Sequence, residues 1–363
     1  MTSTVTRTAD GLVLGNPPER QERTALLEAA GAMLVWDCAV DGLPAAFVWD
    51  PGLALDWAWQ IYGPEVTPAL TGETEAFFPA PGPAAGPARL AARAGWARAW
   101  WPASVRASIP PLDPRLIALE RACALADVEH LLDDDNAAAA SLAEGLRAAG
   151  RLRVDASLPT EIRSSLDELV ERVEAAAEDH GVRAAEADPA PSQPDYALAA
   201  GTLSTVNAST AGAGSLDALA SGAVPLDLSA FAPGTVDAAA RGHWSVVREG
   251  ADTVLEVSVA RAPVHPAERG NPAPLEARFA EVGLLLEPEP SRFAGRTPVA
   301  ATILLTRPEK RTLTVASRGY GGGGRVDAAA LIDAAQILLG QARDTAWHEC
   351  AILLAERAAA LRP

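Results

Sequence analysis

An α+β protein is predicted: a mainly helical N-terminal domain, then an antiparallel, β-sandwich-like C-terminal domain closed by a long C-terminal helix. Three observations predict it. Before residue 185 apolar residues recur mostly at helical spacing, between residues 225 and 317 they alternate in short runs, and after residue 328 helical spacing returns. The textures meet at a breaker-rich stretch, Glu186 to Asp195, with Pro189, Pro191 and Pro194. The expected division is a Trp-rich domain over 1–185, a linker or irregular segment over 186–224 and a β domain over 225–363.

In the first half, residues 22–31 read as a short helix. The apolar runs Ala32 to Val40 and Ala45 to Trp49, separated by Asp41-Gly42, predict a small two-stranded element. Six prolines between residues 64 and 87 predict a surface loop. A helix is expected from Pro87 to Trp101. Another starts at Asp113-Pro114, a carboxylate N-cap before an N1 proline, and is expected to run to about Asp135. From Thr160 to His180 a single stripe of Ile162, Leu166, Leu169, Val173 and Ala177 predicts a helix that Gly181 ends.

Residues 198–224 read as a flexible extension or irregular edge structure. Strands follow at His243–Arg248, Thr253–Ala260, Leu275–Phe279, Val282–Glu287, Val299–Thr306 and Arg311–Ser317. Leu331, Ala335, Leu338, Ala342, Thr345, Glu349 and Ile352 then define one terminal helix, with a bend expected at Gly340.

A net charge of -17 repels phosphate backbones and anionic lipid, so neither nucleic acid nor a membrane is an expected partner. No apolar run approaches the roughly 20 residues that span a bilayer. Residues 1–10 lack the pattern of a secretory signal, and Cys38, Cys123 and Cys350 form no C-x-x-C. Lys310 is the only lysine against many arginines, a bias of GC-rich bacterial genomes. A bacterial cytoplasmic protein with reduced thiols is the expectation.

Three groups of residues carry suggestive chemistry. Cys123, Asp127, His130 and Asp134 fall on one stripe of the expected helix after Asp113, with Glu120 beside them. Asp127 and His130 have the i, i+3 spacing of bundle metal ligands, and Glu171, Glu174, Glu178 or His180 could complete a set. The competing reading is a solvated face opposite Ile117, Leu125 and Leu132. Gly319 to Gly324, flanked by Arg318 and Arg325, satisfies G-x-G-x-x-G, so Arg318, Gly321, Gly322 and Arg325 form a candidate anion site. No further strand follows to complete a dinucleotide fold, and a flexible joint is the simpler reading. Seven of nine tryptophans lie by residue 101, and Trp57, Trp59, Trp100 and Trp101 are the candidates to meet a ligand or partner.

H-E-x-x-H, G-x-S-x-G and P-loop patterns are absent, and no cofactor is expected. The expected function is a non-catalytic interaction or adaptor protein with a protein partner. The alternatives are a metal-dependent or anion-binding enzyme with a site between domains, and a small-molecule or carbohydrate binder using the tryptophans.

Overall fold

The computed structural model describes residues 2–134, 136–153, 155, 158–183, 218–265, 272–305, 307–320, 326–344 and 352–361. Within them the fold is mixed α+β, with nine helices and two antiparallel sheets. The chain divides into two compact units. The first takes Met1–Trp100, Leu112–Ser192 and Asp333–Pro363, and the second Trp101–Pro111 and Gln193–Ile332. Residues 101–111 thus belong with the second unit and 333–363 with the first, exchanges that a division by sequence texture does not register. The expected linker, 186–224, lies outside the described residues up to 217.

The first unit opens with strands β1 (Ser3–Thr8), β2 (Gly11–Leu14), β3 (Thr24–Ala29), β4 (Ala32–Asp37) and β5 (Ala45–Val48). Short helices α1 (Pro51–Trp57), α2 (Trp59–Tyr62) and α3 (Thr67–Thr71) lead to β6 (Ala76–Phe77). The sheet order is β3-β4-β5-β2-β1-β6. The β4–β5 pairing expected around Asp41-Gly42 is present, from Ala32↔Val48 to Val35↔Ala45, inside a much larger sheet. Leu12, Leu14, Ala25, Leu27, Leu34, Trp36, Ala46 and Val48 are buried on one face.

Two expectations fail here. Residues 22–31 are not a helix: good helix formers are drawn into β3, which pairs with β4 from Thr24↔Asp37 to Ala29↔Ala32. A tight turn closes the pair, with Gly31 at φ 74°. Pairing on a packed sheet outweighs intrinsic propensity. The segment 64–87 is not simply a loop either. Pro64 begins a 3-10 turn to Val66, and Pro68 stands in the first turn of α3, where the missing N–H costs nothing.

The helices of this unit are α4 (Ala85–Trp100), α5 (Pro114–Asp127), α6 (Ala137–Leu152) and α7 (Thr160–Asp179). Asp113 caps α5 through the Arg115 amide at 3.0 Å. The helix ends at Asp127 rather than near Asp135, because Val128 leaves helical geometry and a 3-10 turn over Glu129–Leu131 follows. There the chain meets the sheet, with Leu132 bridging Ala29 and the Ala30 amide donating to Leu131. Helix α6 is not among the expected helices, and its buried face is mostly Ala138, Ser141, Leu142, Gly145 and Ala149. That smallness brings α6 onto α5: a Cβ at Gly145 would lie 2.7 Å from the Ala122 methyl. Helix α7 keeps the predicted stripe buried, and Gly181 follows it at φ 63°.

The second unit holds β7 (Ala218–Pro225), β8 (Arg241–Glu249), β9 (Asp252–Ala260), β10 (Leu275–Phe279), β11 (Val282–Pro288), β12 (Arg292–Val299) and β13 (Leu313–Ser317). They form one seven-stranded sheet in the order β13-β10-β11-β12-β9-β8-β7. The sheet curls, because a Cβ at Gly242 on β8 would sit 3.2 Å from Leu313 on β13, near the opposite edge. Inside lie Trp244, Val246, Leu255, Val257, Phe279, Leu286 and Phe293. The strand expected at Val299–Thr306 is displaced: Arg292–Val299 pairs with β9 from Arg292↔Ala260 to Val299↔Thr253, and Ala301–Leu305 is a 3-10 turn. Gly295 and Pro298 concealed β12. Its ladder to β11 covers only Phe293 and Ala294, so the proline falls beyond it.

Helix α8 (Ala328–Asp344) runs through Gly340, with Leu331, Ala335, Leu338 and Ala342 buried. Thr345 and Glu349 lie outside the described residues, and Ile352 precedes the last helix, α9 (Leu354–Ala360). Helix α9 belongs to the first unit and packs against α5 and α7. Its start is held by buried charge. Arg93 of α4 forms a bidentate pair with Glu356 at 3.0 and 2.6 Å. Glu356 also accepts from the Leu353 amide at 3.1 Å, and Glu120 of α5 accepts from the Leu354 and Ala355 amides. Replacing Arg93 by Met strands the Glu356 carboxylate, and the expected loss is about 3–5 kcal/mol. Urea unfolding of Arg93→Met measures it, and restoration by the double change Arg93→Met/Glu356→Leu would tie the loss to the stranded charge.

Candidate functional site

The stripe expected to hold a metal is dispersed by the end of α5. Cys123 is buried, its thiol donating to the Leu169 carbonyl at 3.6 Å. Asp127 accepts from Arg172 at 2.7 Å. His130, on the 3-10 turn, meets the Gln60 side chain at 2.7 Å, and Asp134 caps the Asn136 amide at 2.8 Å. Glu174 pairs with Arg153, and His180 with Glu129. Among the described residues no three His, Cys, Asp or Glu side chains are gathered as a metal set.

Of the glycine-rich candidates, Arg318 extends into solvent and reaches Glu276 at 3.5 Å. Gly321, Gly322 and Arg325 lie outside the described residues.

The tryptophans separate by environment. Trp57 is buried and donates to the Ala30 carbonyl at 2.8 Å, as Trp96 does to Glu22. Trp100 ends α4 half-buried, and Trp101 donates to Pro110 within the second unit at 2.9 Å. Trp59 is 45% exposed, and the nearby Phe47, Trp49 and Leu53 are 42%, 49% and 46% exposed. All four belong to the first unit and fall within residues 47–59. Phe47 lies between Met33 of β4 and Val13 of β2 in one cross-strand row, on the sheet face away from Leu34 and Val48. Trp49 stands just beyond the end of β5, its amide donating to the Gly31 carbonyl at 3.0 Å. Leu53 is an exposed residue of α1 and Trp59 of α2. Sequence patterning marked Trp59 but not Phe47, Trp49 or Leu53; the alternation of β5 was the available signal.

A second surface, unrecognised from sequence, lies in the second unit. The outward residues of β7, β8, β9, β12 and β11 line a groove of about 590 Å³. Register defines its floor. One row runs Ala223, His243, Ser258, Ala294 and Glu287, and the next Ser221, Ser245, Glu256 and Arg296. Small residues flank His243 and leave the hollow. Arg296 pairs with Glu249 and with Glu256, the latter at 2.9 Å, and Arg292 with Glu289 at 2.7 Å. His243 is held below the ordinary histidine value, first by partial burial and then by Arg106 and Arg241.

The remaining perturbed groups have structural duties. Burial pushes the Glu120 carboxyl up to about 8, while the two α9 amides and Arg93 pull the other way. Burial likewise raises the thiols of Cys38 and Cys123 to about 12, so neither is a ready nucleophile. His180 at the end of α7 approaches the Ala176 carbonyl through Nδ1 at 2.7 Å and the Glu129 carboxylate through Nε2 at 2.6 Å. Both neighbours are acceptors, so full satisfaction of both contacts requires the imidazolium. These contacts, the carbonyl first, raise its pKa.

Because folding favours protonated His180, its stabilisation is complete below the ordinary histidine value of about 6.5 and disappears as pH rises through the raised folded value. The gap in urea midpoint between the native chain and His180→Gln should therefore be widest in acid and close toward alkaline pH. At pH 8, iodoacetamide should leave Cys38 and Cys123 unmodified until denaturant unfolds the chain, as peptide mass mapping would report. No protein-family model, curated protein or solved structure matches the chain.

Proposed function

We propose that this chain is a non-catalytic interaction protein that docks a protein partner on the Phe47, Trp49, Leu53 and Trp59 surface. One observation carries the reading: three aromatic side chains and a leucine, each more than two-fifths exposed, occupy thirteen consecutive positions of the first unit. Large aromatic side chains left in water on a rigid sheet and helix are the usual anchors of protein interfaces, and their desolvation drives association. The enzyme alternative draws less support, since the strongly perturbed Glu120, Cys38 and Cys123 are buried in structural contacts. A carbohydrate groove of stacked indoles is likewise less favoured, because Trp57 and Trp96 are core residues bonded to backbone carbonyls.

Trp49→Ser/Trp59→Ser is expected to change stability by less than about 1 kcal/mol, as exposed substitutions do, and to abolish partner recovery when the full chain is purified from its own cells. Equal recovery by native and variant chains would remove this surface as the docking site. Trp57→Ala is the contrasting case, with an expected loss of about 3–5 kcal/mol from a buried cavity.

A further inference from the structure

The exposed aromatic residues of the first unit stand in a one-sidedly charged stretch of chain. Residues 24–88 hold eight carboxylates and no lysine, arginine or histidine. Two of the eight are neutralised from outside the stretch, Asp37 by Arg23 at 2.9 Å and Asp41 by Arg89 at 2.7 Å. Glu28, Asp50 and Asp56 are exposed, and none of them forms an ion pair among the described residues.

The Ala30-Gly31 turn between β3 and β4 gathers these acids with the aromatic residues. Its two carbonyls receive the Trp57 indole at 2.8 Å and the Trp49 and Asp50 amides, each at 3.0 Å. A Cβ at Gly31 would lie 3.0 Å from the Cβ atoms of both Asp50 and Leu53. The start and the end of α1 are thus tied to one point. Asp56 precedes Trp57, and its carbonyl accepts the Trp59 indole at 3.2 Å. On the sheet, Glu28, Met33, Phe47, Val13 and Thr6 form one row, which puts Glu28 two strands from Phe47, roughly 10 Å at normal strand spacing. The one cation carried by β1 to β5, Arg7, belongs to the opposite face, across from buried Leu12, and donates to the Ala69 carbonyl at 3.3 Å. His130 is engaged by the Gln60 side chain at 2.7 Å.

Taking the docking surface as given, we propose that its partner is a basic protein segment, which sets arginine or lysine side chains against Glu28, Asp50 and Asp56 and apolar ones against Phe47, Trp49, Leu53 and Trp59. Cations are favoured twice here, by unpaired carboxylates and by the electron-rich faces of two exposed indoles. A neutral or acidic partner would desolvate those carboxylates without supplying a counter-charge. The net charge of -17 draws a basic partner in from a distance, and the local acids decide where it settles.

The test is fluorescence anisotropy of labelled peptides with the full chain at low salt, the peptides being repeats of Arg-Ser-Leu, Gln-Ser-Leu or Glu-Ser-Leu of equal length. The arginine peptide should bind about tenfold more tightly than the glutamine peptide, and the glutamate peptide most weakly. Trp49→Ser/Trp59→Ser should abolish binding of the arginine and glutamine peptides alike. Glu28→Gln/Asp56→Asn should weaken the arginine peptide about tenfold and spare the glutamine peptide. Glu281→Gln/Glu287→Gln, an equal loss of exposed charge in the second unit, should change arginine binding less than about twofold. The basic partner is overturned if the glutamine peptide binds as tightly as the arginine peptide, or if the two double charge changes act alike. Glutamine binding that matches arginine and is still lost in Trp49→Ser/Trp59→Ser would leave the docking surface standing without a basic occupant. Arginine binding untouched by the tryptophan changes would overturn both.

Discussion

Arg93 and Glu356, 263 residues apart in sequence, face each other with almost no exposure to water, and the first unit depends on that pairing. Removing both ions from solvent is costly, and their attraction offsets it only because further hydrogen bonds complete the site. Glu356 and Glu120 provide these by receiving the Leu353, Leu354 and Ala355 amides, the donors that the first turn of α9 leaves without helical partners. Helices α4, α5 and α9 therefore meet at one ionic point. Around it the packing is built from alanine, glycine and short aliphatics, which permit close helix contact but offer little side-chain shape to specify register.

In the second unit a comparable constraint is neutral in appearance but also rests on one buried carboxylate. Asp237 receives the Ser104 hydroxyl and the Val105 and Ala239 amides, joining residues more than 130 positions apart in sequence. It fixes the start of a short excursion of the chain within that unit. The curled sheet then does what alternation dictates. Trp244, Val246, Leu255 and Phe293 face inward, while His243, Ser245, Glu256 and Arg296 form an outer face organised by charge. The two units thus offer surfaces of opposite kind, one apolar and aromatic, the other polar and ion-paired.

Legibility followed pattern strength. The α7 stripe, the Asp113-Pro114 start of α5 and the alternation of β9 were readable because each is a local signal with a local cause. Strand β3 was misread since Leu26, Leu27 and Glu28 favour a helix until β4 pairs with them. Helix α6 was overlooked although its polar and apolar residues segregate onto opposite sides, and β12 was hidden by Gly295 and Pro298. Of the surface residues, Trp59 was visible as one of the tryptophans clustered before residue 101. The His243 groove was invisible, because its members come from five strands and only register places them in rows.

By itself the sequence determined the α+β class, the absence of a long apolar run, the strongly acidic balance and the caps and stripes of its clearest elements, since these are properties of neighbours along the chain. Only the tertiary structure decided that residues 101–111 join the second unit, that Cys123, Asp127, His130 and Asp134 part company, and that Arg93, Glu120 and Glu356 meet. Such outcomes depend on long-range pairing and on the desolvation of specific groups, energies that exist only once distant segments are in contact.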